Sequence, residues 1–539
     1  MIRLLLPALL LGVAFWAVRY VSASELDQRF ERMESWLRQY GPHAAAVVTI
    51  IVIWWTWGEG RPIPVVHDEM SYVLQSEIFA RFRWTAPTPP IPEFFEQPHV
   101  LVVPAVASKY PPGHALLLAL GAFLHFPPLV PLLLSAATAA LIALLATRLT
   151  NAWVALLTWV IWLTTPLVLR YQPAYFSEVT TSAVVLASWW CLLEWREMRQ
   201  RRWLLLLALA VGWGAITRPV TMLAYAIPIG AVVIWDLIRA KRLGPLLDFG
   251  LAVLVGTAVL AILPLWSWRT TGDAKLTPVA LYSRDYLPFD KPGFTPDTTA
   301  PRRVLSPVVK SLYDDFLAHR QNQRLRDLPR TFAERLSNLA WDLFRGTQLL
   351  LVPFFAFGLF SMTKPLRFGL ISAGLLFLFY LPYAHDAPWT LYYLEVAPII
   401  AAITAAGMWR ALVWVANRVI VQLYIYRRPK LGATLITIVL SFFALPTMNY
   451  WRLQHQQMNS TRVAFQRAVR QLPTSKAVIF LHYTNRAHHL SLVYNNADPE
   501  RAPVWVVHDL GDRNRDLVNM ALDRTAFVFD EAQGEFKRY

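Results

Sequence analysis

Apolar runs long enough to cross a bilayer recur from one end of this chain to the other, and they limit what it can fold into. A helix needs roughly 20 residues to span the hydrocarbon core. Runs at or near that length fall at 4–22, 43–57, 128–147, 152–170, 174–195, 203–217, 219–235, 246–267, 346–361, 367–383, 391–416 and 431–448. In lipid every backbone N–H and C=O must find its partner inside the protein, so runs of this kind predict helices. The expected fold class is an all-α polytopic membrane protein with about 11–13 transmembrane helices. The composition agrees. Of 539 residues 56% are hydrophobic and 16% charged, where soluble domains average about 25% charged. This excludes a disordered chain, a collagen and an ordinary soluble enzyme. The one cysteine, Cys191, excludes an internal disulfide framework and a Cys-based metal cluster.

The net charge of +16 does not point to nucleic acid as a partner, because the basic residues sit in short clusters between apolar runs, where they encode orientation. Arg196, Arg199, Arg201 and Arg202 form one cluster; Arg239, Lys241 and Arg242 a second; Lys364 and Arg367 a third; Arg427, Arg428 and Lys430 a fourth. Two runs separate each neighbouring pair, so all four fall on one face, assigned to the cytoplasm. The polar stretches 58–113, 268–345 and 449–539 then share the opposite face. This requires that the run 114–126, bounded by Pro111-Pro112 and Pro127-Pro128, be an interfacial or re-entrant helix. The first run, 4–22, is expected to be retained rather than cleaved as a signal peptide, and 23–42 reads as an amphipathic cytoplasmic connector. The expected organisation is a membrane domain over 1–448 and a small exterior α/β domain over 449–539. In that tail Ala477–Leu481, Val504–Val507 and Thr525–Phe529 read as strands, with helical patterns at 459–471 and 511–522. The expected location is the inner (plasma) membrane, multi-pass, with the active face periplasmic or extracellular.

Chemistry-bearing residues collect on that outer face. The first loop reads His67-Asp68-Glu69-Met70-Ser71-Tyr72 and later Lys109-Tyr110-Pro111-Pro112-Gly113. The spacing of Tyr72, Ile78, Phe79 and Phe82 predicts an amphipathic helix on the membrane interface. Asp68 and Glu69 stand at its N-terminal end, either as a helix cap or as a carboxylate pair, one acting as general base and the other positioning acceptor or cation. Lys109 is either a snorkelling interfacial lysine or a fixed cation for developing phosphate charge. Glu178 closes Tyr171-Gln172-Pro173-Ala174-Tyr175-Phe176-Ser177-Glu178, at the mouth of a span, where an acid is costly unless paired or wet. Arg218, in Thr217-Arg218-Pro219, sits at the tip of a two-span hairpin, either snorkelling or clamping a phosphate in bidentate fashion. His385 follows an outward span, and Tyr392 and Glu395 lie three apart on one helical face of the next. The loop 268–345, with Arg320, Arg324, Arg326 and Arg330, reads as a basic, partly irregular cover with interfacial helices. Tyr483, His488 and His489 are candidates for acceptor contact in the tail. No set of residues has zinc spacing, no cofactor is assigned, and a divalent cation at Asp68/Glu69 stays open. There is no glycine phosphate loop for a nucleotide donor.

The motifs His67-Asp68-Glu69-Met70-Ser71-Tyr72 and Lys109-Tyr110-Pro111-Pro112-Gly113, separated by a Pro-rich stretch, resemble the first exterior loop of GT-C glycosyltransferases. They are most similar to bacterial members of the superfamily that holds protein O-mannosyltransferases and lipid A aminoarabinose transferases (family 39-like). The resemblance covers the N-terminal three quarters of the chain. It implies a GT-C-like membrane fold and an enzyme that inverts the sugar carbon. It also implies a polyprenyl-phosphate sugar as donor and a glycan, lipid or protein as acceptor. Carried over by position, Asp68 is base or acceptor ligand and Glu69 its partner. Lys109 and Arg218 meet the donor phosphate. His67, Tyr72, Tyr110, Glu178, His385, Tyr392 and Glu395 line the substrate site. The chain departs from the family's Arg-Tyr-Tyr…Glu…Pro element: Leu391 stands where arginine is usual, leaving His385 or Arg218 to replace that contact. A transporter or flippase of lipid-linked sugar is the alternative, but it needs polar groups near the bilayer midplane, and here they gather at one face. A non-catalytic membrane scaffold, with Asp68-Glu69 as a cap only, is the third reading.

Overall fold

A computed structural model of the chain describes residues 23–58, 62–240, 243–295, 297–418, 428–483 and 492–539. The apolar run 4–22, Lys241, Arg242 and Arg427 of the basic clusters, and His488 and His489 lie outside the described residues.

The body of the protein is a bundle of apolar helices. Among the described residues, five are long and apolar enough to cross a membrane: Leu129–Leu149, Pro219–Arg239, Leu246–Thr271, Thr390–Asn417 and Pro429–Arg470. The pair Leu325–Phe344 and Gly346–Phe360, bent by 101°, makes a sixth if counted as one span. This is fewer than the 11–13 expected from apolar runs, for local reasons. The run 152–170 is broken where Thr165 adopts extended geometry ahead of Pro166, giving Ala152–Thr164 and Pro166–Tyr171; a residue before proline is pushed out of the helical region. Arg201–Ala215 and Lys364–Tyr380 have 15 and 17 residues. Ser177–Met198 carries Glu178, Glu194, Arg196 and Glu197. Gly113–Phe123 has 11 residues, too short to cross.

At one end of the bundle the basic clusters are tied by ion pairs. Arg148 meets Glu194 at 2.5 Å; Arg196 and Arg199 meet Asp236 at 2.9 and 3.1 Å; Lys430 meets Glu34 at 2.8 Å; Arg428 pairs with Asp27. Residues 23–42 therefore pair with Arg428 and Lys430 of the fourth basic cluster. They are not a separate connector: Ala23–Thr56 is one helix of 34 residues that runs through Pro42.

At the other end the polar stretches interlock. The helix His67–Ala80 is buried at His67, at every position from Glu69 to Ser76 and at Ile78. It does not lie on a membrane surface, because its polar positions are satisfied from several sides. Gln75 Nε2 donates to the Trp84 carbonyl at 2.9 Å, and its Oε1 accepts from the Ser108 amide at 3.0 Å. Ser71 and Ser108 hydroxyls are 2.7 Å apart. Tyr494 of the tail donates its hydroxyl to Glu77 at 3.3 Å. A short antiparallel pair, β1 (Val100–Leu101) and β2 (Ala107–Ser108), folds the loop back onto this helix.

The stretch 268–345 forms helices Pro278–Asp285, Pro307–Asn322 and Leu328–Phe344 around an irregular segment. Its arginines are not all a solvated basic surface. Arg320 is buried and its Nη1 donates to the Lys291 and Gly293 carbonyls at 3.2 and 2.6 Å. Arg335 is buried and caps the carbonyls of Tyr380, Tyr383 and His385.

The tail holds a four-stranded sheet of β3 (Ala477–His482), β4 (Val504–His508), β5 (Thr525–Asp530) and β6 (Glu535–Arg538), in the order β4-β3-β5-β6. The first three strands are parallel, and β6 is antiparallel to β5. Three strands match the sequence reading; β6 was not foreseen, since its burial is slight. One face of the sheet buries Phe480, Trp505 and Val507 against Phe94, Phe95 and Val102 of the first loop. The helical pattern at 459–471 is the end of a continuous 42-residue helix, Pro429–Arg470. The boundary drawn at 448 thus falls inside an unbroken element.

Candidate active site

Two side-chain clusters meet at this outer end. The first is built on the N-terminus of His67–Ala80. Asp68 is a half-open carboxylate, 35% exposed, whose Oδ1 accepts a hydrogen bond from the Tyr110 hydroxyl and lies 4.0 Å from His99 Nε2. Burial, then the Asp68 charge, raises Tyr110 well above its ordinary value, so the phenol stays protonated and donates. His67 is buried beside it and packs edge-on against His99 at 6.4 Å.

Glu69 turns the other way. Its Oε2 accepts from the Val65 and Val66 amides at 3.1 and 3.0 Å, and its Oε1 from the Tyr175 amide at 3.0 Å. Burial raises this carboxyl while the three amides pull it down. Glu69 is therefore a helix cap that also pins residue 175, not a second reacting carboxylate. The pair presents one open acid, Asp68, and one carboxylate turned onto three backbone amides. Among the described residues no three His, Cys, Asp or Glu side chains converge.

Lys109 is only 6% exposed. Its Nζ meets Asp290 Oδ2 at 3.1 Å and lies over the rings of Tyr110 and Tyr282 at 5.2 and 5.0 Å. It is a buried cation with a counter-ion, not a snorkelling lysine.

The second cluster surrounds Arg218. Its Nη1 donates to Glu178 Oε1 at 2.5 Å and Ser177 Oγ at 3.2 Å, its Nε to Thr221 Oγ1 at 3.2 Å and its Nη2 to the Tyr380 hydroxyl at 2.7 Å. A guanidinium has five N–H donors, so one remains. Arg218 offers a phosphate a single hydrogen bond and a charge, not the bidentate fork expected from the sequence. Glu395 is buried; one oxygen accepts from Thr181, and Oε2 has no partner among the described residues. The Tyr392 ring packs at a tilt against His385, with centroids 4.5 Å apart, and lies 5.6 Å from the Arg218 guanidinium. His385 Nδ1 donates to the Asp386 carbonyl at 2.8 Å, and burial, then the Arg335 charge, pushes its ring down to about 3. It is neutral near pH 7 and does not replace the cation missing at Leu391.

Two features join the clusters. Tyr72 stacks on Tyr110 at 4.8 Å and donates its hydroxyl to Ser177 at 3.0 Å. Gly113 donates its amide to the Ile216 carbonyl at 2.9 Å, and a Cβ there would fall 2.4 Å from Thr217 Oγ1. Only glycine lets the Lys109–Gly113 segment come this close to the turn that carries Arg218. Sequence reasoning missed Asp290, His99, Ser177, Thr181, Tyr380 and Arg335. Thr181 was findable three residues after Glu178 on the same helical face, and Ser177 as the neighbour of Glu178 in the chain; the others are brought in by tertiary folding. Tyr483 packs near His508, with ring centroids 6.0 Å apart, apart from both clusters.

Residues 109–268, which include Lys109, Glu178 and Arg218, match the model of the dolichyl-phosphate-mannose-protein mannosyltransferase family. The structure is similar to that of ArnT from Cupriavidus metallidurans bound to undecaprenyl phosphate, at 13% identity and a TM-score of 0.49, covering 91% of this chain and 93% of that one. It is also similar to the oligosaccharyltransferase of Archaeoglobus fulgidus in its apo form, at 10% identity and a TM-score of 0.47, covering 92% of this chain and 70% of that one. The comparison with curated proteins gave no match. The family match extends over 109–268, less than half of the chain, and makes that segment similar to the dolichyl-phosphate-mannose-protein mannosyltransferases.

Proposed function

We propose that this protein transfers a sugar from a polyprenyl-phosphate donor to an acceptor hydroxyl or amine at the exterior face of the membrane, with inversion at the sugar carbon. The observation that carries the reading is one open carboxylate, Asp68, bonded by the hydroxyl of Tyr110, whose ring also lies 5.2 Å from the buried Lys109 ammonium, with Arg218 linked to that ring through Ser177 and Tyr72. The family description, which names a lipid-phosphate-linked mannose donor, supports the donor class.

The steps follow from these groups. Asp68 takes the proton of the acceptor as its oxygen or nitrogen attacks the anomeric carbon. The bond from that carbon to the phosphate oxygen breaks, and the electron pair leaves with the lipid phosphate. Lys109 stabilises the negative charge that grows on the phosphate, and Arg218 adds its charge and one hydrogen bond. The Oε2 of Glu395, without a partner among the described residues, and the ring of Tyr392 offer an acceptor and an aromatic face to the sugar. Holding donor and acceptor together supplies part of the rate by orientation. The acceptor is a glycan, lipid or protein of the cell envelope, and the location an inner (plasma) membrane with this face turned outward.

The test is purified protein in nanodiscs, given polyprenyl-phosphate hexoses and an envelope extract. Release of polyprenyl phosphate coupled to acceptor labelling is expected. Transport of the intact donor into sealed, acceptor-free proteoliposomes, without release, would favour a flippase instead.

A further inference from the structure

We propose that Asp290 is an internal stand-in for the donor phosphate, held on Lys109 while the site is empty and displaced when the donor binds. This rests on the donor reading given above.

Lys109 Nζ is nearly inaccessible and sits between two aromatic rings, with Asp290 Oδ2 at 3.1 Å as its counter-ion. A buried ammonium left alone carries a large desolvation penalty, so some anion must accompany it. Asp290 fills that place from a different part of the chain, 181 residues away in sequence. It is itself 35% exposed, so it has a path to water that Lys109 lacks. A lipid phosphate aimed at Lys109 brings a second anion to the same ammonium. Two anions that close repel each other, and the group with water behind it is the one that leaves.

The turn that carries Asp290 is built for this. On one side it is anchored by buried Tyr282, Tyr286, Leu287 and Phe289. On the other, Arg320 grips the Lys291 and Gly293 carbonyls, and the Gly293 amide donates to the Pro382 carbonyl at 2.8 Å. Gly293 has φ of +146°, which a side chain there would resist. Between these anchors the Asp290 amide donates to the Leu287 carbonyl at 2.9 Å, the Lys291 amide to the Phe289 carbonyl at 2.8 Å and the Ser283 hydroxyl to the Asp290 carbonyl at 3.2 Å, so these bonds hold the Asp290 backbone and not its side chain. Asp290 thus swings from a turn fixed at both ends. The Pro382 contact joins that turn to the segment leading to His385 and Tyr392, so loss of the Lys109–Asp290 pair is transmitted toward the sugar side of the site.

The test measures binding of farnesyl phosphate to the purified full chain and to Asp290→Asn, Asp290→Glu and Lys109→Met. Asp290→Asn is expected to bind about tenfold tighter than the parent, because the competitor is gone. Asp290→Glu is expected to stay near the parent, and Lys109→Met to lose most binding. Equal or weaker binding by Asp290→Asn, with Lys109 still required, overturns the proposal and makes Asp290 a permanent counter-ion; the donor reading survives. Binding that ignores Lys109 sinks the donor reading and this inference with it. Hydrogen exchange of the unmodified protein gives a readout that does not depend on a variant folding. Farnesyl phosphate is expected to speed exchange over 286–293, and unchanged exchange there overturns the proposal.

Discussion

Asp68 and Glu69 are neighbours with opposite surroundings, and exchanging each for its amide separates chemistry from structure. Asp68→Asn keeps the shape and an oxygen for the Tyr110 hydroxyl, at a position 35% exposed. The cost to stability is below about 1 kcal/mol, the net worth of an ordinary hydrogen bond. The amide takes no proton, so transfer falls by about 10²–10⁴, the usual contribution of a general base. That corresponds to roughly 3–5 kcal/mol of barrier. Glu69→Gln reverses the pattern. Three backbone amides point at its two oxygens, and a glutamine sets its NH₂ against at least one of them. Each buried N–H left without a partner costs about 1–3 kcal/mol, so the loss is roughly 2–5 kcal/mol. The assay is the thermal unfolding midpoint in detergent, paired with the rate of polyprenyl phosphate release in nanodiscs. Asp68→Asn is expected to unfold with the parent and release almost nothing. An Asp68→Asn protein releasing more than a tenth of the parent rate would refute the assignment. So would a Glu69→Gln protein that is as stable as the parent but inactive.

Three further outcomes follow from the same geometry. Lys109→Met is expected to lower kcat/KM for the lipid donor by about 10–100-fold through loss of one charge-assisted contact; an unchanged value would remove Lys109 from the phosphate site. Gly113→Ala places a Cβ 2.4 Å from Thr217 Oγ1 and 2.9 Å from the Ile216 carbonyl, so the turn at Arg218 must move. A stability loss of about 1–3 kcal/mol, the usual range for overpacking, is expected with reduced transfer, and a neutral result would show that the approach is looser than described. Two buried histidines outside the spans make stability fall in acid. Burial pushes His385 to about 3 and His508 to about 4 from 6.5, so the unfolded chain binds protons that the folded chain refuses. Their contribution is whole above pH 6.5 and is lost as pH falls, by about 1 kcal/mol each between 6.5 and 5.5. Unfolding midpoints at pH 7.5 and 5.5 are expected to differ less for His508→Asn than for the parent, and equal differences would contradict the assignment.

The class of fold was legible because a bilayer leaves few options for an apolar run. The number of crossings was less so. Whether 152–170 forms one span or two helices is decided by Pro166 and the extended Thr165 before it, and apolar content does not report that break. The short run at 114–126 was readable because prolines bound it. At the site, Glu178 and Arg218 were visible as charged residues at the ends of apolar runs, where charge needs a reason, and Asp68 and Lys109 through the two motifs of the first loop. The division of labour between Asp68 and Glu69 was not. Adjacent residues on a helix point in different directions, and only the fold brings Tyr175 to Glu69 and Tyr110 to Asp68. Asp290 and Arg335 were hidden for a related reason: in an irregular, basic stretch nothing local distinguishes a residue that will be buried from one that stays in water. The helix His67–Ala80 misled in the same way, since its polar face bonds to protein where the pattern alone suggests water.

The account requires that Asp68 face water outside the cell, on the side opposite the arginine clusters. A direct measurement is Asp68→Cys in a Cys191→Ser background, which leaves one thiol in the chain, labelled in intact cells with a membrane-impermeant maleimide. Modification in intact cells, to the same extent as after permeabilisation, is the result expected. Modification that occurs only once the membrane is opened would place the carboxylate on the inner face and contradict the account.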